Sequence, residues 1–162
     1  MRINKLKLKR NNIVWLPVLM LLAACSFNEN TVYYSYLHTP GKGWTKKDTL
    51  VFPVPVTDSL KPYKVRVEIR NQAFYPYEDL YLLISHNTED STIFITDTMR
   101  YALADKSGKW VGTGLGTLYQ NSFSYYKFIP PHPGKYVFKV THGMKDEALQ
   151  GITDIGLKVD RE

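Results

Sequence analysis

Residues 65 to 70 read Val-Arg-Val-Glu-Ile-Arg, apolar and charged in strict alternation. A period of two puts Val65, Val67 and Ile69 on one face of an extended chain and the three charged side chains on the other, so this segment predicts a strand with one buried and one wetted face. No segment beyond the N-terminal region holds the competing 3.6-residue period over three helical turns; only residues 144–149 suggest a short helical turn. Strand-like segments recur at 32–37, 49–54, 80–86, 92–96, 123–129, 136–141 and 153–159. Between them stand turn-forming clusters at 40–43, 75–77, 87–90, 106–108 and 130–134. Short strands at such intervals predict an all-β protein, an antiparallel β-sandwich of immunoglobulin-like or jelly-roll type. Pro53 and Pro55 assign their strand to a sheet edge, because proline has no N–H for an inner ladder. Aromatic residues form 14% of the chain and apolar residues 44%, enough to fill such a core.

The first residues follow different rules. Arg2, Lys5, Lys7, Lys9 and Arg10 precede an apolar stretch of 12 residues from Ile13 to Ala24. A membrane-spanning helix needs about 20 apolar residues, so the stretch is too short to stay in a bilayer and has the order of a secretory signal peptide. It ends Leu22-Ala23-Ala24-Cys25, small residues followed by the single cysteine of the chain. This pattern looks like a bacterial lipobox, in which the cysteine is acylated and becomes the new N-terminus. The expected organisation is a cleaved signal peptide at 1–24, a lipidated tether at 25–31 and a β-sandwich domain at 32–162. Cys25 is the expected lipidation site, the alternative being a buried cysteine after an ordinary signal peptide. Two or three acyl chains hold a protein stably where one does not.

Removing the export signal changes the electrostatics. The whole chain carries 21 Lys+Arg against 15 Asp+Glu, but five of the basic residues and none of the acidic ones lie before Cys25, leaving 16 against 15. The signs are mixed along the remainder, so no basic patch supports nucleic-acid binding. A lone cysteine excludes an intramolecular disulfide and a CxxC pair. No GxSxG, HExxH, Walker or EF-hand pattern occurs, and His38, His86, His132 and His142 stand singly near turns or strand ends, as surface histidines do. The expectation is no catalytic residue, no metal site and no cofactor.

Two features are open to more than one reading. Gly112, Gly114 and Gly116 would share one face if their segment is a strand, leaving space for a packed ring or backbone, or for a ligand groove. The spacing does not fit the GxGxxG dinucleotide pattern, since Tyr119 occupies the last glycine position. Trp44, Tyr75, Tyr77 and Trp110 lie on or near turns, where aromatic side chains either pack locally or form an exposed interaction surface. These four are the candidate interface.

Several short motifs occur in one order: Arg70-Asn71; Tyr75-Pro76-Tyr77 with Asp79-Leu80; Asp105-x-x-Gly108-x-Trp110-x-Gly112-x-Gly114; Pro133-Gly134-x-Tyr136; and Leu149-x-Gly151-Ile152-x-Asp154-Ile155-Gly156. Together with the lipobox, this combination resembles the gliding motility lipoprotein GldH family. The resemblance implies a cell-envelope lipoprotein of a Bacteroidota bacterium, one of the proteins needed for gliding over surfaces, a process linked there to type IX secretion. It implies no enzyme and brings no catalytic residues; only Cys25 carries over with a defined role. Ser26 after Cys25, in place of an aspartate, favours the outer membrane, and Glu29 as the sole acid of the tether favours a domain facing the periplasm. The expected partners are the membrane, through acylated Cys25, and envelope proteins of a gliding or secretion apparatus. The alternative is a carbohydrate-binding lipoprotein of a glycan-uptake system, stacking sugars on Trp44 or Trp110.

Overall fold

A computed structural model describes residues 30–90 and 92–162; Cys25 and the segment read as a signal peptide lie outside the described residues. The elements are β1 (Thr31–His38), β2 (Trp44–Thr45), β3 (Leu50–Val56), β4 (Tyr63–Gln72), β5 (Asp79–Asp90), β6 (Ile93–Ala102), β7 (Thr113–Leu115), β8 (Leu118–Phe128), β9 (Gly134–His142), β10 (Ala148–Leu149) and β11 (Ile152–Arg161). A five-stranded sheet in the order β1-β11-β4-β8-β7 and a four-stranded sheet in the order β3-β9-β5-β6 form an antiparallel β-sandwich, with β2 and β10 as a small separate pair.

The alternation at 65–70 lies in β4, where Val65, Val67 and Ile69 are fully buried. Ile155, Leu157 and Val159 of β11 line the same inner face, opposed by Phe52 and Val54 of β3, Leu82 and Ile84 of β5, and Phe138 and Val140 of β9. Each such side chain contributes about 1.5–3 kcal/mol when fully buried, so the period of two in these strands is the main source of the fold's stability. β3 is an edge strand, with Pro53 and Pro55 both exposed. Its ladder to β9 needs donors from alternate residues only, and prolines two apart fall in the set that faces away.

Three local expectations are corrected. Residues 87–90 are not a turn but the end of β5, and the reversal lies between Asp90 and Ile93. Asn87 and Thr88 are buried there, and Asn87 Oδ1 accepts a bond from Val137 N at 2.7 Å. Residues 144–149 form no helical turn: β10 occupies the end of the segment, and Met144 is buried with its sulfur 3.3 Å from Tyr81 N. The glycine stretch is a strand only over Thr113–Leu115; Gly116 begins the turn into β8 with φ of 67°, as the first central position of a two-residue hairpin requires.

A bulge ties the two sheets together along one side. Val65 pairs with Tyr126 and Arg66 with Ser124, so Tyr125 is the extra residue. Both tyrosines pack on the core, and the Tyr125 hydroxyl donates to Asp97 Oδ2 of β6 in the opposite sheet at 2.8 Å.

The chain enters at one end of the sandwich, where Arg161 N donates to Asn30 O at 2.7 Å. The β3–β4 loop, the β5–β6 turn and the β8–β9 loop share this end, called the tether end after the tether expected at 25–31. The β1–β2, β4–β5, β6–β7 and β9–β10 connections, the β7–β8 turn and the β10–β11 turn lie at the far end. Strands of 10 residues such as β4 separate the two ends by roughly 30 Å at ~3.3 Å per residue.

Candidate functional site

The far end gathers most of the turn motifs, and Tyr75 is its hub. It is 3% exposed, donates from its hydroxyl to Asp79 O at 2.9 Å, and has its ring centroid 5.7 Å from that of Tyr77 and 6.3 Å from that of Trp110. Trp110 in turn lies 5.8 Å from Tyr119. Burial first, then the nearby Tyr77, Asp79 and Asp146, raise the pKa of the Tyr75 phenol. Tyr77 is half-buried and donates to Asp146 Oδ2 at 2.6 Å, a bond that pushes its own phenol up. Thus Tyr75, Tyr77 and Trp110 are brought together, as an internal brace for three loops.

Trp44 stands apart. It is fully buried, donates from Nε1 to Asp48 O at 2.8 Å and meets the His142 ring edge-on at 5.3 Å. The expectation of an exposed aromatic surface is therefore corrected for Trp44 and Tyr75, which are core residues; Tyr77 and Trp110 are partly buried against that core. The physical reason is the convergence of loops: each ring is covered by segments distant in sequence, and β10 closes over Trp44 through the Trp44–Leu149 pair.

The glycines serve the same packing. A Cβ at Gly114 would lie 2.7 Å from the Tyr119 ring, and one at Gly112 would lie 2.6 Å from Gln120 O. Of the two readings of this face, close packing is the one observed. The loop before it is fixed by Asp105, whose Oδ1 accepts from Ser107 N at 2.8 Å, Ser107 Oγ at 2.6 Å and Lys109 N at 3.1 Å. Those bonds, led by the Ser107 hydroxyl, hold the carboxyl below its usual range.

What the braced loops expose are the residues between the motif positions. Phe74 is 68% exposed, Val111 54% and Leu115 92%. Ala73 N donates to Thr117 O at 2.7 Å, which sets Phe74 beside the β7–β8 turn and its flanking Leu115 and Leu118. An open groove of about 510 Å³ runs between Leu115, Leu118, Thr113, Gly114, Gln120 and Arg70 on the outer face of the five-stranded sheet. Sequence reasoning singled out Tyr75 and Trp110 and passed over their neighbours. No local pattern marks them: Phe74 stands in a turn closed by the bond from Tyr75 N to Gln72 O, and the side of a turn on which a side chain emerges is set by what folds against the loop.

The groove borders a polar cluster. The Arg70 guanidinium lies 4.0 Å above the Tyr36 ring, and its Nε donates to Gln120 Oε1 at 3.1 Å. Tyr36 can lie flat because its β11 partner is Gly156, where a Cβ would be 2.8 Å from the ring. Beneath it the buried Glu68 accepts from Ser122 Oγ at 2.7 Å. Asp154, also buried, pairs with Arg70 in register and has His38 Nδ1 2.5 Å from its Oδ1. The motif pieces Arg70-Asn71 and Asp154-Ile155-Gly156, distant in the chain, meet here.

The sequence that builds these segments has known relatives. A family model described as GldH lipoprotein matches residues 31–159. The chain belongs to the GldH lipoprotein family. The gliding motility lipoprotein GldH of Flavobacterium johnsoniae is 27% identical over 164 residues, spanning 97% of this chain and 99% of the relative. A gliding motility lipoprotein GldH homolog of Christiangramia forsetii is 24% identical over 156 residues, spanning 91% and 93%. Among solved structures, the infectious bursal disease virus VP2 subviral particle aligns over 80% of this chain and 30% of that one, with 13% identity and a TM-score of 0.33.

As a member of the GldH lipoprotein family, the chain is a membrane-associated protein of the cell envelope. Its histidines differ from the surface pattern expected: His86 and His142 are buried, whereas His38 and His132 are exposed. His86 has Nδ1 2.8 Å from Thr88 Oγ1 and Nε2 3.3 Å from Asp97 Oδ2. Among the described residues no group of three or more His, Cys, Asp or Glu could hold a metal ion.

Proposed function

We propose that the chain is a non-enzymatic envelope lipoprotein that supports gliding motility and the linked type IX secretion machinery. In this reading residues 1–24 are removed, acylated Cys25 holds the sandwich at the outer membrane facing the periplasm, and the far end binds an envelope protein. The observation that carries it is the convergence of the GldH-like loops at the end opposite the tether, where they present Phe74, Val111 and Leu115. Exposed apolar residues around a rigid, internally braced base suit a protein interface. A non-catalytic role is supported by the names of the relatives, both motility lipoproteins.

The test is complementation of a deletion strain of the host, scored by colony spreading and by secretion of type IX cargo. Wild-type protein should restore whichever process the host uses. Cys25→Ser should fail and leave the membrane fraction, and Leu115→Asp should fail while remaining folded and anchored. A photo-crosslinker at Leu115 should capture an envelope protein that one at Val51 does not. Full complementation by Leu115→Asp together with Phe74→Asp would sink the far-end interface. The glycan-binding alternative loses its basis, since Trp44 offers no exposed face for stacking and Trp110 is braced between Tyr75 and Tyr119.

A further inference from the structure

Among the described residues, Leu60 is the one non-glycine residue with a positive φ, at 61°. A bulky L-residue in the left-handed region is strained, and it persists where the surroundings fix the backbone. Here Leu60 N donates to Pro130 O at 3.1 Å, which locks the β3–β4 loop onto the β8–β9 loop. The strained backbone carries a side chain that makes no use of the core, because Leu60 is 76% exposed. Ile129, next to the bonded Pro130, is 60% exposed. Beside them opens an apolar groove of about 630 Å³ between Pro62, Tyr126, Phe128, Ile129 and Pro131.

All of this is at the tether end. The described chain begins there, with Asn30 bonded to Arg161, and only Ser26 to Asn30 separate Cys25 from β1. Five residues reach under about 20 Å even when extended, so this end is held close to whatever surface Cys25 occupies. Lys61 and Lys127 flank the apolar tip with largely exposed side chains; Lys61 lies 3.9 Å from Asp58, and Lys127 lies 2.8 Å from Glu162. Lysines with apolar stems beside exposed aliphatic residues suit the boundary between acyl chains and headgroups.

We propose that the tether end is a bilayer-docking face, with Leu60 and Ile129 seated among the lipid headgroups and upper acyl chains and Lys61 and Lys127 at phosphate level. The inference rests on the reading of Cys25 as the acylated anchor. It goes beyond that anchor by fixing the orientation of the domain: the strands stand away from the membrane, and the far end projects roughly 30 Å into the periplasm. Without such a face a short tether would still allow the sandwich to lie on its side and hide the far-end loops.

The test uses the full mature lipoprotein in vesicles of phosphatidylethanolamine and phosphatidylglycerol containing brominated phosphatidylcholine, which quenches tryptophan at short range. Leu60→Trp and Ile129→Trp should add emission that is blue-shifted and quenched at least twofold. Leu115→Trp and the native Trp44 and Trp110, all at the far end, should be unaffected. Quenching at 60 and 129 no greater than at 115, in protein that floats with the vesicles, overturns the docking face while leaving the anchor intact. The same result accompanied by a dimer in light scattering reassigns the face to a second copy of the chain, which also overturns it. Protein that does not float with vesicles overturns the acylation of Cys25 and the docking with it. Leu60→Gly separates the two roles of the residue: it relieves the positive φ, so the thermal midpoint should stay level or rise, while lipid protection of the β3–β4 loop against protease is lost. Retained protection in Leu60→Gly and in Ile129→Asp counts against the proposal.

Discussion

Gly151 lies directly beneath Tyr75. With φ of 85°, Gly151 turns the chain between β10 and β11, and a Cβ built on it would stand 2.8 Å from Tyr75 Cα and 3.0 Å from Tyr75 Cβ. The contact joins the β4–β5 loop to the β10–β11 turn, and Gln72 N donates to Gly151 O at 2.8 Å beside it. Gly151→Ala therefore meets both backbone strain and a clash with main-chain atoms that cannot swing aside. A loss of about 2–4 kcal/mol is expected, read as a lower midpoint in denaturant with an unchanged slope. A variant as stable as wild type would show that the two loops are not held against each other.

Tyr75 and Tyr101 are both buried, yet their hydroxyls differ. That of Tyr75 donates to Asp79 O at 2.9 Å, whereas the Tyr101 hydroxyl is buried with no hydrogen-bond partner among the described residues. Removing a satisfied donor costs about 1 kcal/mol and strands its acceptor, while removing an unsatisfied one relieves a desolvation penalty. Tyr75→Phe should lower the thermal midpoint, and Tyr101→Phe should leave it level or raise it. The opposite order would require a partner for Tyr101.

Trp44 and Leu115 give the corresponding contrast between core and surface. Trp44→Ala opens a cavity against His142 and deletes the bond to Asp48 O, for an expected cost of about 3–5 kcal/mol. Leu115, 92% exposed, should tolerate alanine within about 0.5 kcal/mol. Equilibrium unfolding of both variants checks the pair, and equal losses would contradict the burial described.

His142 makes stability depend on pH. Burial is the largest influence on it and lowers its pKa below 6.5; Lys46 acts in the same direction, while Asp146, Glu147 and a backbone contact to Trp44 oppose. Because the unfolded chain takes up the proton more readily, the stabilisation is fully present above pH ~6.5 and is lost as pH falls through the folded-state value. The thermal midpoint of wild type should drop between pH 7.5 and pH 5, and His142→Phe should show a smaller drop. An identical drop in both proteins would assign the effect to other groups.

The strand pattern was largely legible along the chain because a period of two is a local property. β1, β4, β5, β9 and β11 each contain their expected segment, and the prolines of β3 mark an edge, since a missing donor is costly anywhere else. Residues 87–90 and 144–149 misled for the same reason in reverse. Asn and Thr favour turns by local hydrogen bonding, but Asn87 is satisfied instead by Val137 of a neighbouring strand. Residues 144–149 suggest a helical turn, but Met144 and Leu149 are buried by segments that no local pattern reveals.

The far-end site was legible in part. Tyr75, Tyr77 and Trp110 do come together, and the glycine stretch does receive an aromatic ring. The Tyr36–Arg70 stack over Gly156 and the exposed Phe74 and Leu115 were not visible, because each depends on which residue lies across a strand pair or on which side of a turn a side chain emerges.

The sequence by itself determined that this chain builds strands rather than helices, that its charge is nearly balanced beyond the N-terminal segment, and that its motifs resemble one family. Those are properties of neighbours along the chain and of residue counts. Only the tertiary structure decided that Trp44 and Tyr75 are core, that Leu60 and Leu115 are surface, and that the start of the described chain and most of the family-like loops lie at opposite ends. Burial is set by what other segments fold over a residue, and two antiparallel sheets bring together segments whose separation in sequence carries no record of the contact.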